Sequence, residues 1–119
     1  KRLRVFFWRF QKNSALSGYE SNWGYWVNLD PTVGTEIKKT RPALVVSPDD
    51  MNLALPRVLI APLTSQGQSL GCRPELRFDG KSARILLDQI RCVDKRRLGS
   101  KMGEIDAELW LPILLEMLV

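Results

Sequence analysis

The chain has 119 residues, 45% of them apolar and 26% charged, the size and profile of one ordinary globular domain. It contains no histidine, which excludes Ser-His-Asp and Cys-His nucleophile systems, histidine metal sites and an imidazole base poised near neutral pH. Its two cysteines, Cys72 and Cys92, are too few for a zinc finger or a disulfide scaffold and fit a reducing cytosol.

The net charge of +5 is mostly a property of the start, where Lys1, Arg2, Arg4, Arg9 and Lys12 stand against Glu20 alone. The rest is nearly balanced, so a polyanion site there must rest on local clusters: Lys38, Lys39 and Arg41, then Arg91, Lys95, Arg96 and Arg97. The opening segment has the basic start of a secretory signal, but Arg9 cuts its apolar run too short. No run approaches the ~18 apolar residues of a membrane span. Residues 11–22 are polar and turn-rich without a period and read as a linker, so the expected organisation is an N-terminal extension over 1–22 and one domain over 23–119.

From Trp23 onward, β-favouring runs alternate with turn residues: Tyr25 to Leu29, Ala43 to Val46, Arg57 to Leu63, Glu75 to Phe78 and Ala83 to Ile90. Asp30-Pro31-Thr32-Val33-Gly34 stops the first run, and the polar stretch Thr35 to Thr40 crosses to the second as a partly cationic loop. Asp79-Gly80, between two alternating runs, predicts a tight hairpin with antiparallel strands. The period then changes. Asp106 is the expected N-cap of a C-terminal helix that is apolar nearly all round and calls for burial on more than one side. Pro112 removes one backbone bond from that helix, so a kink or a later start is expected.

Without histidine or a metal cluster a hydrolase must work with arginine, threonine, serine, lysine and carboxylates, and one reaction suits that inventory unusually well. The 2′-hydroxyl of RNA can attack its own adjacent phosphate, leaving the protein to align the attack, neutralise the dianionic phosphorane and handle two protons. An arginine fork matches two phosphate oxygens and a threonine hydroxyl can donate to a third. Arg41-Pro42, where the polar loop meets a buried strand, and Thr64-Ser65-Gln66, where a strand ends, suit that pairing. By themselves such residues are equally ordinary structural features: arginine before proline, and turn chemistry after a strand.

Four blocks make the pattern specific: Trp26 to Glu36, Lys39 to Pro48, Ala61 to Gln66 and Leu86 to Leu98. In this order they resemble the successive blocks of the MazF/PemK toxins, the ribonuclease components of bacterial toxin–antitoxin modules. The resemblance implies a mainly β, SH3-like barrel with a C-terminal helix, of the kind shared by the MazF, PemK and CcdB toxins. It implies a cytoplasmic homodimer that cuts single-stranded RNA at a short sequence, needs no metal or cofactor, leaves a cyclic phosphate and a 5′-hydroxyl, and is silenced by a MazE-like antitoxin.

Carried over by position, Arg41 matches the catalytic arginine, Thr64 the catalytic threonine and Glu36 an acid important in some members. Lys38, Lys39, Ser65, Gln66, Asp88, Gln89 and Arg91 fall in blocks implied to line the RNA groove, where amides and carboxylates read base edges. Arg41 is always protonated and so suits phosphorane stabilisation, which leaves Glu36 as the candidate base. For Asp88 a structural role, tying Arg91 or a loop amide, weighs evenly with an RNA contact. Lys95, Arg96 and Arg97 read as a steering surface or a solvated face. The chain departs from the pattern at Asn22-Trp23-Gly24, which replaces the usual opening Gly-Asp or Gly-Glu, and at Pro112. The alternatives are a toxin of the same fold that poisons a protein target such as gyrase, and an inactive antitoxin-binding module.

Overall fold

Trp23, Tyr25 and Val27 recur at every second position, and in the computed structural model, which describes residues 20–29, 40–78 and 81–119, they build the first strand. In β1 (Trp23–Asn28) these three point inward, while Trp26 and Asn28 face out. Arg41 precedes a proline, which disfavours helical backbone, and lies in β2 (Thr40–Val45). After a single helical turn, α1 (Asp49–Ala54), comes β3 (Arg57–Thr64), followed by β4 (Glu75–Phe78) and β5 (Lys81–Ile85), β6 (Arg91–Asp94) and β7 (Leu98–Glu104). Helix α2 (Ala107–Leu118) closes the chain.

The described strands form one curled antiparallel sheet in the order β4-β5-β3-β2-β1-β7, with β6 also on β3. β3 is the hinge of this arrangement. Its first half pairs with β6, from Arg57–Asp94 to Ile60–Arg91, and its end pairs with β5, as Leu63–Ile85 and Thr64–Arg84. Pro62 sits in the interval between those partners. Its carbonyl accepts from the Leu86 N–H (2.8 Å), and the donor that proline lacks would face the same side, where no regular ladder asks for it.

Each face of the sheet has its own core. One joins Trp23, Tyr25, Val27, Ala43, Val45, Val58, Ile60, Val93 and Leu98, inside the curl of β1, β2, β3, β6 and β7. The other joins Leu44, Ala61, Leu63, Ala83, Ile85 and Met102 to Leu109 and Trp110, beneath α2. The Asp106 side chain accepts from the Glu108 N–H (2.9 Å), the expected N-cap. Residues 20–22 are fastened to this body. Asn22, in the left-handed region at φ 72°, donates its N–H to Val45 O and accepts at its carbonyl from Ile105 and at Oδ1 from Trp110 Nε1. Ser21 N–H donates to Asp49 Oδ1, and Glu20 pairs with Lys101, whose ammonium lies 4.0 Å from the Trp23 ring centre.

Several expectations need correction. The run expected to stay extended from Ala83 to Ile90 leaves the sheet after Ile85. Leu86 and Leu87 both turn inward, and a 3-10 turn, Leu87–Gln89, follows. Thr40 opens β2 rather than ending a loop. Pro112 does not delay the helix, which begins at Ala107 and runs through it. Pro112 and Glu108, whose carbonyl an amide at position 112 would have met, are both exposed, so the missing helical bond falls on the solvent side. Within this chain α2 is covered on one side only, leaving Leu111, Leu115, Met117 and Leu118 outside. The Asp79-Gly80 turn lies outside the described residues, but the strands flanking it pair antiparallel as expected, with Phe78 opposite Lys81.

Candidate active site

Strand register explains why residues 41 and 64, 23 positions apart in the chain, come to one place. β2 and β3 pair as Val45–Ile60, Leu44–Ala61 and Ala43–Pro62. The same register, continued past Ala43–Pro62, sets Arg41 opposite Thr64, and facing residues of antiparallel strands share one side of the sheet. The ladder fails just there for a covalent reason. Val46 N–H donates to Leu59 O, so every second residue of β2, Pro42 included, turns its backbone toward β3, and Pro42 has no N–H to give. The two strands are thus unlaced at the level of Arg41 and Thr64.

The side they share is the one carrying the barrel core, since Arg41 stands opposite buried Val27 on β1. Beyond the barrel this same side turns polar. Thr64 faces Arg84 on β5, and Arg84 faces Glu75 on β4, so a row of charged and hydroxyl groups crosses the outer strands opposite α2. Arg41 is half-buried and Thr64 is 7% exposed. Thr64 Oγ1 accepts from the Gln66 N–H (3.2 Å), which orients the hydroxyl and leaves its proton available for donation. Arg84 is a site neighbour that the four sequence blocks do not single out. Its signal lies in the hairpin alternation, where Ala83 and Ile85 point inward and Arg84 must point to the other face.

The remaining candidates divide. Ser65 and Gln66 are exposed on the turn leaving β3, while Asp88 and Gln89 lie on the 3-10 turn after β5. Arg73 brings these two turns together: Nε and Nη2 donate to the two Asp88 carboxylate oxygens (3.0 and 2.8 Å) and Nη1 donates to Gln68 O (3.2 Å). The Arg73 hydrogen bonds hold the Asp88 carboxyl below the usual carboxylate range, against the opposing effect of its partial burial. The structural partner expected for Asp88, Arg91 or a loop amide, is therefore neither. Arg91 turns away toward Leu29 O (3.4 Å), and Arg97 donates to Asn28 O (3.1 Å). Arg96 is exposed beside Asp94, whose carboxyl its side chain and backbone N–H hold low. Glu36, Lys38 and Lys39 lie outside the described residues.

With this geometry in view, sequence comparison becomes decisive. The sequence model of a family described as PemK-like, MazF-like toxins of type II toxin–antitoxin systems matches residues 25–116. The chain belongs to the PemK/MazF toxin family. Endoribonuclease EndoA of Bacillus subtilis is 35% identical over 91 residues, which cover 71% of this chain and 78% of that one. The crystal structure of MazF from Deinococcus radiodurans (Form-I) superposes with a TM-score of 0.75 at 27% identity, over 86% of this chain and 97% of that chain. A MazE–MazF structure from the same organism (Form-II) gives 0.68 at 27% identity, over 84% and 95%. The PemK/MazF match takes in β2 to β7 whole, most of β1 and most of α2, so the mainly β fold with a C-terminal helix is a family property. No described helix is long and apolar enough to cross a membrane.

Proposed function

We propose that this chain is a sequence-specific endoribonuclease toxin that cuts single-stranded RNA by attack of a 2′-hydroxyl on the adjacent phosphate. The observation that carries the proposal is the β2–β3 register, which when continued past its last rung at Ala43–Pro62 sets Arg41 opposite Thr64, in a chain of the PemK/MazF family whose relative EndoA is an endoribonuclease. The Arg41 fork stabilises the phosphorane oxygens, and the Thr64 hydroxyl, already accepting from Gln66, donates to a third. Glu36 takes the 2′-proton. The P–O5′ bond breaks as the 2′-oxygen bonds phosphorus, giving a 2′,3′-cyclic phosphate and a 5′-hydroxyl, whose proton comes from solvent near Arg41.

Arg84, one strand beyond Thr64, takes a neighbouring phosphate, and Ser65, Gln66 and Gln89 meet base edges on the turns beside it. Lys38 and Lys39 add cationic reach from the β1–β2 connection, and Arg91 braces Leu29 at its start. The chain works in the cytoplasm, where its RNA is, with residues 1–22 as an extension to the toxin domain at 23–119. A MazE-like antitoxin silences it, as the MazE–MazF pairing of the related structure supports. The protein pairs with a second copy, an arrangement favoured by the four apolar side chains that α2 leaves outside.

The test is to incubate the protein with a long single-stranded RNA in excess chelator, beside Arg41→Ala. Cuts at a recurrent short sequence, ending in cyclic phosphate and absent from the variant, are expected. Intact RNA, or cuts that persist in Arg41→Ala, refute the assignment and favour a toxin that binds a protein target.

A further inference from the structure

The turn after Thr64 is a short excursion from the sheet, and nothing in the ladders explains why it holds one shape. Residues 65–74 belong to no strand, and Thr64 is the last residue of β3. Gly67, at φ +101°, adopts backbone that a side chain would resist. What fills the turn from within is Arg73. A Cβ built on Gly67 would sit 3.6 Å from Arg73 Nη1 and 4.0 Å from Thr64 Cγ2, so the glycine faces the guanidinium and the threonine methyl across the space of one methyl group. The third Arg73 nitrogen in use closes the turn onto the Gln68 carbonyl.

We propose that Arg73 and Asp88 form a side-chain clamp that positions the Thr64–Gln68 turn, and that Asp88 serves the reaction through Arg73 rather than by touching RNA. The proposal rests on the endoribonuclease reading of the site. Asp88 fixes the guanidinium by two parallel bonds, which set the plane as well as the position of the fork. That plane presents Nη1 to Gln68 O. Gln68 is thereby fastened two residues beyond Gln66, whose N–H donates to Thr64 Oγ1, so the turn that Arg73 holds carries the bond that orients the hydroxyl. The path from Asp88 to the Thr64 hydroxyl runs through Arg73 and the backbone of that turn. The Arg73 and Asp88 side chains are 15% and 31% exposed, covered enough for a single geometry and still outside either core. Arg73 and Asp88 are positioning residues, and Thr64 is the group that meets the phosphate.

The experiment is a double-mutant cycle on the full chain with Arg73→Ala, Asp88→Ala and the pair, with Arg73→Lys as a milder variant that keeps charge and loses the fork. Each single alanine variant is expected to lower kcat by about 10- to 100-fold with KM nearly unchanged, as for a misplaced reacting group. The pair should fall no further than either single, Arg73→Lys should fall between, and the sequence cut should stay the same. Amide hydrogen exchange at Gln66 should quicken in all four. Additive losses, or a changed cut sequence in Asp88→Ala alone, overturn the proposal in favour of an Asp88–RNA contact. Unchanged Gln66 exchange in Arg73→Ala and Arg73→Lys overturns the clamp itself. Failure of the unaltered protein to cut RNA instead refutes the nuclease assignment, a result the exchange measurement distinguishes because it needs no substrate.

Discussion

Arg41 and Thr64 are set on one side of the sheet by different physical routes. Arg41 is inside a strand, its register fixed against β1 by the Val27–Arg41 pairing and anchored by buried Ala43 and Leu44 further along β2. Thr64 ends its strand, and the turn beyond it is held by a threonine hydroxyl, one glycine and the Arg73–Asp88 fork. A position held by backbone bonds depends little on which side chains surround it. A position held by side chains can be undone one side chain at a time, and tuned the same way.

Four measurements test whether the two positions are held so differently. Arg41→Ala, which leaves the backbone pairing untouched, should cost about 10³-fold in single-turnover cleavage, about 4 kcal/mol of transition-state stabilisation, with little change in thermal midpoint. A large fall in that midpoint would show that the arginine also supports the strand. Leu63→Ala removes a fully buried side chain from the core beneath α2 and should destabilise the fold by about 3 kcal/mol in urea unfolding. A loss below about 1 kcal/mol would mean that the end of β3 is not integral to that core. Thr64→Val keeps the shape and removes the hydroxyl, and should slow cleavage by about 10²-fold, while Thr64→Ser restores most of it.

The smallest effect is on acid stability. The folded Asp88 carboxyl titrates below its ordinary range, so in the window between the two values the unfolded chain binds more protons and stability rises with pH. Its contribution is complete above about pH 4 and fades as pH drops through the folded value. Urea midpoints of the unaltered protein and Asp88→Asn should therefore differ at neutral pH and converge as pH falls through the folded value. A gap that stays constant would show that the ion pair is not what Asp88 contributes.

Legibility in the sequence follows the same division. β1 and β4, with alternation, and β2 and β3, with continuous apolar runs, are readable to within a few residues, as is the N-cap at Asp106, because each depends on local pattern alone. β6 and β7 are hidden: Arg91–Asp94 has only Cys92 and Val93 between two charges, with no alternation of apolar and polar side chains, and Leu98–Glu104 carries Gly99, Ser100 and Gly103 where a strand pattern asks for branched or aromatic residues. They are strands because β3 and β1 offer open edges. For the site, the resemblance supplies Arg41 and Thr64. Arg73 is absent from any such reading, because its role exists only once two turns distant in sequence are folded together, and no periodicity encodes that.

Pro42 carries a final consequence. Most substitutions that give a strand back its missing amide are improvements by the ordinary criteria of protein engineering, and a variant with alanine there would gain a rung between β2 and β3. That rung would carry the β2–β3 ladder on to the level of Arg41 and Thr64 and fix backbone that is now without it. Under the proposed reading a sturdier sheet and an adjustable arginine are opposed demands, and one imino acid sets the balance between them.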